Sequence, residues 1–295
     1  MERAQRIAVG SIAIGLAVFA LKTAAWRLTG SVALYSDALE SVVNVASAVL
    51  AYGALRVAVM PADDKHPYGH AKAEFFAAVI EGVLIVLAAG LILQQAWHSW
   101  QHGHAVAGLG PGFAFNLAAT AVNAGWALLL GRAARDARSP ALRADARHLW
   151  SDVVTSLGIV AGLAVAAVSG RAVLDPLLAA LVAAYILWSG MRLIGESVGA
   201  LMDEAPPGEM VGRVRACVAA AALGAIEAHD LRMRRAGRNS FLEFHLVVPG
   251  EMSVAEAHAI CDRIEAALRA EMEGLSVTIH VEPDAKAKHR GVLVL

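Results

Sequence analysis

The chain has 295 residues, 58% of them hydrophobic and 17% charged, with a mean hydropathy of +0.56. That apolar share exceeds what a water-soluble domain of ordinary composition carries, so a large part of the chain is expected to lie in lipid. Lys and Arg number 25 against 26 Asp and Glu, a net charge of −1 that excludes the basic excess needed to bind nucleic acid.

Arg3 and Arg6 open an apolar run that continues past Lys22 with no small-residue cleavage site, which predicts an uncleaved first span rather than a signal peptide. Crossing hydrocarbon takes about 20 residues of helix. Six segments qualify, near 7–28, 32–58, 75–98, 112–132, 142–168 and 174–200. Arg3, Arg6, Lys65, Lys72, Arg132, Arg135, Arg138 and Arg143 fall on one side, and only Arg27 and Arg171 on the other. The positive-inside bias then puts both termini in the cytoplasm, as expected of a multi-pass protein of the cell (inner) membrane.

Near Asp203 the composition changes, and Pro206, Pro207 and Gly208 break the last apolar helix. Residues 1–204 read as a six-span membrane domain and 205–295 as a small α+β cytoplasmic domain of αββαβ order. The predicted elements are a helix at about 208–222, strands near 226–235 and 240–248, a second helix, and a strand near 275–282. Ser253, with Glu256 three residues on, forms a capping box that opens the second helix. So small a domain gains buried surface from a second copy, which favours a homodimer. Cys217 and Cys261 lack CxxC spacing and read as small buried side chains, not as ligands or a disulfide.

Two of the apolar spans carry ionisable residues in matching patterns. The second reads Asp37-Ala38-Leu39-Glu40-Ser41-Val42-Val43-Asn44, and the fifth reads Asp145-Ala146-Arg147-His148-Leu149-Trp150-Ser151-Asp152. Residues four apart share a helix face, so Glu40 with Asn44 makes one two-ligand half-site and His148 with Asp152 another. Carboxylates at bilayer depth are costly and face a bundle interior or a watery path, where a bound cation compensates them. Asp37 and Asp145, one turn earlier, fit supporting roles in hydrogen bonding or hydration of the entrance. The chain contains no His-Glu-x-x-His and no nucleophile elbow, and no enzyme activity is expected.

These paired motifs resemble the cation diffusion facilitator family, which sets a two-ligand motif on the second span against His-x-x-x-Asp or Asp-x-x-x-Asp on the fifth. The resemblance covers nearly the whole chain and implies export of a divalent metal, Zn(II), Fe(II), Mn(II) or Co(II), in exchange for protons. His148 and Asp152 match that pattern unchanged. Glu40 and Asn44 stand where the family more often has His or Asp followed by Asp, so one carboxylate is lost and one lengthened. An oxygen-rich set with one imidazole suits all four metals by ligand softness.

The resemblance also implies a second metal site in the loop at Asp63, His66 and His70. A third, regulatory one is implied in the cytoplasmic domain at His229, His245, His258, His280 and Glu282, near the interface of a homodimer. Lys72 and Asp203 fall where the family forms charge contacts between its segments. His98, His102 and His104 read as solvent or interface histidines. The rival reading is a membrane-anchored metal-sensing dimer without transport; an intramembrane metallohydrolase fits worse, for want of a general base beside an open coordination position.

Overall fold

The computed structural model describes residues 2–29, 32–102, 111–169, 174–288 and 292–293. His104 and Arg171 lie outside them, as does the side chain of His102. The chain divides into two compact units, Met1–Val198 and Gly199–Leu295.

The first unit holds six long helices: α1 (Glu2–Thr29), α2 (Val32–Ala58), α3 (Ala73–His102), α4 (Pro111–Asp136), α5 (Pro140–Ser169) and α6 (Leu174–Leu201). Among the described residues five stretches are long and apolar enough to cross a bilayer: Val9–Thr29, Asp37–Ala58, Ala73–Gln101, Pro111–Ala137 and Ala179–Leu201. Polarity is distributed inside out. Phe76, Ile80, Val83, Leu87 and Leu91 of α3 and Leu181, Trp188 and Met191 of α6 are exposed, whereas Lys22, Asp37, Glu40, Asn44, Asn123, His148 and Asp152 are buried. In water such an apolar shell would aggregate; in lipid it is the solvated surface.

Local chemistry fixes where the helices start and cross. Ser139 stands before Pro140, the first residue of α5, where the missing proline N–H costs nothing, and its hydroxyl accepts from the Leu142 N–H (3.3 Å). The same hydroxyl donates to Glu74 in the first turn of α3, which ties the two helix starts together. Further along, α3 meets α6 at Gly82 and Gly190. A Cβ on Gly82 would lie 2.6 Å from Ile194 Cγ1, so close approach demands glycine there. Ala78, Ile85 and Ala89 of α3 pack with Ala183, Ile186 and Leu193 of α6 around this crossing.

The second unit contains α7 (Gly208–Ala221), β1 (Glu227–Ala236), β2 (Asn239–Val248), α8 (Val254–Glu271), β3 (Leu275–Pro283) and β4 (Val292–Leu293). Its sheet runs β3-β2-β1-β4, with β2 parallel to β3 and the other pairs antiparallel. The expected αββαβ order is present, with the two-residue β4 added at the edge beside β1. Leu242, Phe244, Leu246 and Val248 alternate along one face of β2 and pack with Val214 and Val218 of α7 and Ile260, Ile264 and Leu268 of α8. His245 therefore points to the opposite face. The capping box at Ser253 forms as the sequence predicts, with the Ser253 hydroxyl accepting from the Glu256 amide and the Glu256 side chain accepting from the Ser253 amide. Of the two free cysteines Cys261 is buried, but Cys217 is only half-buried, because it sits at the margin of the α7 packing face. Burial pushes both thiols above their ordinary pKa, which disfavours the thiolate that a metal would need.

Candidate metal centres

Inside the helical bundle, α2 contributes Asp37, Glu40 and Asn44, and α5 contributes Asp145, His148 and Asp152, all of them buried. The helical repeat delivers Glu40 above Asn44 and His148 above Asp152, as the four-residue spacing requires. Asp37, Glu40 and Asp152 each offer a carboxylate oxygen within 4.8 Å of the others. This trio includes Asp37, for which the sequence suggested only a supporting role.

The two halves of the site differ in how well they are satisfied. Both oxygens of Glu40, both amide atoms of Asn44 and both ring nitrogens of His148 are buried without a hydrogen-bond partner. Three such groups on facing helices form a costly arrangement unless a ligand completes it. Asp152 and Asp37 are fully engaged. Lys22 Nζ, on α1, donates to Asp152 Oδ1 (2.7 Å) and Asp37 Oδ1 (2.9 Å). Asn123 donates to Asp152 Oδ2, Asn116 to Asp37 Oδ2, and Ser156 to Asp37 Oδ1 (2.8 Å).

Lys22, Asn116, Asn123 and Ser156 were not among the site residues expected from sequence. Asn116, Thr120 and Asn123 recur on one face of an otherwise apolar α4, and that periodicity is the signal that could have found them. A further buried carboxylate, Glu81 of α3, lies near enough to Asp145 for their charges to act on each other. A cavity of about 480 Å³ reaches Glu40 between α2 and α3 and is lined toward the end of α3 by Gln94, Gln95, His98 and Gln101.

In the loop between α2 and α3, Asp63, His66 and His70 bring ligand atoms within 4.8 Å of one another. Asp63 Oδ1 accepts from the backbone N–H groups of His66 (2.6 Å) and Lys65 (3.0 Å), and the His66 amide in particular holds its carboxyl below the usual carboxylate range. Nδ1 of His70 lies 3.2 Å from the Pro61 carbonyl, which as acceptor leaves Nε2 with the free lone pair, 3.5 Å from Asp63 Oδ2. The loop can present three ligands on one turn, aided by Gly69 at φ +80°.

The open face of the sheet carries the third cluster. Register pairs His229 with His245 and His245 with His280 across three adjacent strands, with ring centroids 5.3 and 4.9 Å apart. Glu282, two residues beyond His280, places Oε1 3.2 Å from His245 Nδ1 and Oε2 3.3 Å from His229 Nε2. His229, His245 and Glu282 form the close group, with His280 Nε2 3.8 Å from Glu282. His258 stands apart from it on α8, 74% exposed and 3.6 Å from Asp262, because α8 covers the other face of the sheet. It shares with Glu282 the lining of a cleft of about 310 Å³. Asp203 lies 3.4 Å from Arg234 within the same unit. Lys72 stands at the start of α3, its carbonyl accepting from the Phe75 amide (3.0 Å).

A bundle of apolar helices with ligand-type side chains buried at its centre, followed by a small domain with histidines in strand register, defines a membrane transporter of metal cations. A family model described as cation efflux transmembrane domain matches residues 8–202, and one described as cation efflux protein, cytoplasmic domain, matches residues 206–284. The chain is 41% identical over 280 residues to an uncharacterized transporter of Synechocystis sp., covering 95% of this chain and 90% of that protein. It is 34% identical over 281 residues to the cation-efflux pump FieF of Pectobacterium atrosepticum, covering 94% and 91% respectively. A solved structure of CzrB in its zinc form, described as a candidate zinc transporter, is 53% identical over 29% of this chain and 98% of that one, with a TM-score of 0.28. The chain belongs to the cation diffusion facilitator family.

Proposed function

We propose that the protein exports a divalent transition metal, Zn(II), Fe(II), Mn(II) or Co(II), from the cytoplasm in exchange for protons. It would do so as a homodimer in the inner membrane, with α5 counted as the sixth span and both termini cytoplasmic. The observation that carries this reading is the buried quartet Glu40, Asn44, His148 and Asp152, three of whose members have no hydrogen-bond partner in the bundle. A cation supplies what those atoms lack. A metal needs the imidazole neutral and the carboxylates ionised, so protons compete for the same lone pairs. Access to the quartet alternating between the two sides then converts proton entry into metal exit. Asp145, one turn before His148 on α5, and the buried Glu81 of α3 would hydrate or guide ions at the approach to the quartet.

The loop triad and the strand-register cluster at His229, His245, His280 and Glu282, with His258 at its edge, would bind the same metals as auxiliary and regulatory sites. Lys72 and Asp203 would join the two units by charge across the dimer. The decisive measurement is metal-driven proton flux in vesicles reconstituted with the full chain. Asp152→Asn should reduce flux to background while leaving the protein folded; undiminished flux would remove Asp152 from the transport site.

A second reading, a membrane-anchored metal sensor, draws on the ordered His229, His245 and Glu282 group, which needs no transport to respond to metal. Vesicle flux separates the two, because an anchor passes no ions.

A further inference from the structure

Lys22 is a fully buried lysine about two turns before the end of the first apolar helix. Its ammonium lies between two helices rather than snorkelling toward an interface, and it donates to Asp37 of α2 and Asp152 of α5. It faces Asp152, Asp37 and Glu40, and its charge also reaches His148. Both oxygens of Asp152 are therefore occupied by protein donors, Lys22 on one and Asn123 on the other. Glu40, Asn44 and His148, meanwhile, stand without partners. The site is thus half open and half closed, and Lys22 closes it.

Building on the transport reading above, we propose that Lys22 is a tethered cation that occupies the transport site between cycles, so that an arriving metal must displace its ammonium from Asp152 to gain its fourth ligand. A lysine suits this role because its charge sits at the end of a flexible four-carbon stem and can retreat to Asp37 alone when Asp152 is taken. With the carboxylates ionised, Asp37, Glu40 and Asp152 together with Lys22 carry two net negative charges, the charge a divalent ion cancels. The ammonium also returns to Asp152 as metal leaves, which makes release easier than it would be from a bare carboxylate. Lys22 is a positioning residue in this scheme. It lowers the apparent affinity in proportion to the fraction of time it leaves the site free, and it speeds the exit of the ion.

The test uses the full chain in proteoliposomes with zinc alone as the transported ion, measuring apparent KM and maximal rate separately. Lys22→Met should lower the apparent KM about tenfold and lower the maximal rate as well, as expected when a competing occupant is removed. Lys22→Arg keeps the charge and should leave KM at or above the wild-type value. Should Lys22→Met fail to fold, Lys22→Met with Asp37→Asn removes one charge of each sign, and its KM should still fall below wild type. An unchanged or raised KM in whichever of these methionine variants folds overturns the proposal, as does a KM that falls equally in Lys22→Arg. Asp152→Asn runs alongside. Flux surviving in that variant would defeat the transport-site reading itself, whatever Lys22 does.

Discussion

The candidate sites in the bundle and on the open face of the sheet gather the same kinds of side chain under different degrees of exposure. In the bundle, Glu40, Asn44 and His148 are buried with no hydrogen-bond partners, and Asp152 is held by a buried ammonium. On the sheet, His280 is largely exposed and His245 half-exposed, while Glu282 lies within 3.3 Å of the imidazoles of His229 and His245 without a hydrogen bond to either His229 nitrogen. On the transport reading proposed above, a site at the bundle centre would gain a great deal from its ion and would need help to let it go. On the reading proposed above, a site at the partly open sheet face would hold its ion for signalling or stability rather than passage, although His229 and Glu282 there also carry buried atoms without a hydrogen-bond partner.

The widest separation between the two sites should come from Asp152→Asn against His245→Ala. The first should abolish zinc-driven proton flux in vesicles. The second should leave flux at saturating zinc within about twofold, while weakening zinc binding to the full chain about 10- to 100-fold, measured by calorimetry with Asp152→Asn and Asp63→Ala present to silence the other sites. If His245→Ala stopped flux outright, the two sites would not be separable.

A narrower contrast lies within the sheet site. His258→Ala should cost about tenfold less zinc affinity than His245→Ala in the same assay, since its ring lies outside the close group; equal losses would place His258 among the ligands. In the loop, Asp63 keeps its charge into acid because the His66 amide holds it low. A depressed folded value means that the Asp63 contribution to loop order is present above the unfolded Asp pKa of about 3.9 and is lost as pH falls through the lower folded one. Amide exchange at Lys65 and His66 should therefore stay slow at pH 5 and accelerate only in stronger acid. Acceleration already at pH 5 would contradict the turn geometry. The smallest effect expected is that of Ser253→Ala, which removes the cap of α8 and should cost about 1 kcal/mol of stability in chemical denaturation.

How much of this was legible in the sequence follows from the distance over which each signal acts. His148 with Asp152 and Glu40 with Asn44 are one helical turn apart, and the capping box spans three residues, so local periodicity reveals them. The alternation of Leu242, Phe244 and Leu246 likewise tells which face of β2 carries His245. Lys22 was read only as a residue that the first apolar run passes through, because nothing within a turn of it marks it as a partner. Its contacts lie 15 and 130 residues away, and only the packed bundle brings them to it. The short β4 escaped for a different reason, since two residues carry no periodicity. His258 was placed on the right helix, but which face of the sheet that helix covers is set by the β2–α8–β3 crossover.

The Lys22 pairings also bear on how the chain enters the membrane. Lys22 and Asp37 belong to two successive helices, α1 and α2, that precede α5 in the chain, and together they carry no net charge. That pair can be inserted without a net charge of its own well before α5 exists, and Glu40 is the one buried carboxylate of α2 that it leaves unmatched. Asp152 comes 130 residues after Lys22, to a bilayer that already contains its countercharge and the amide of Asn123. Asp37 and Asp152 thus meet their compensation in the order of translation, and the cost of placing these two carboxylates in lipid does not have to be met all at once.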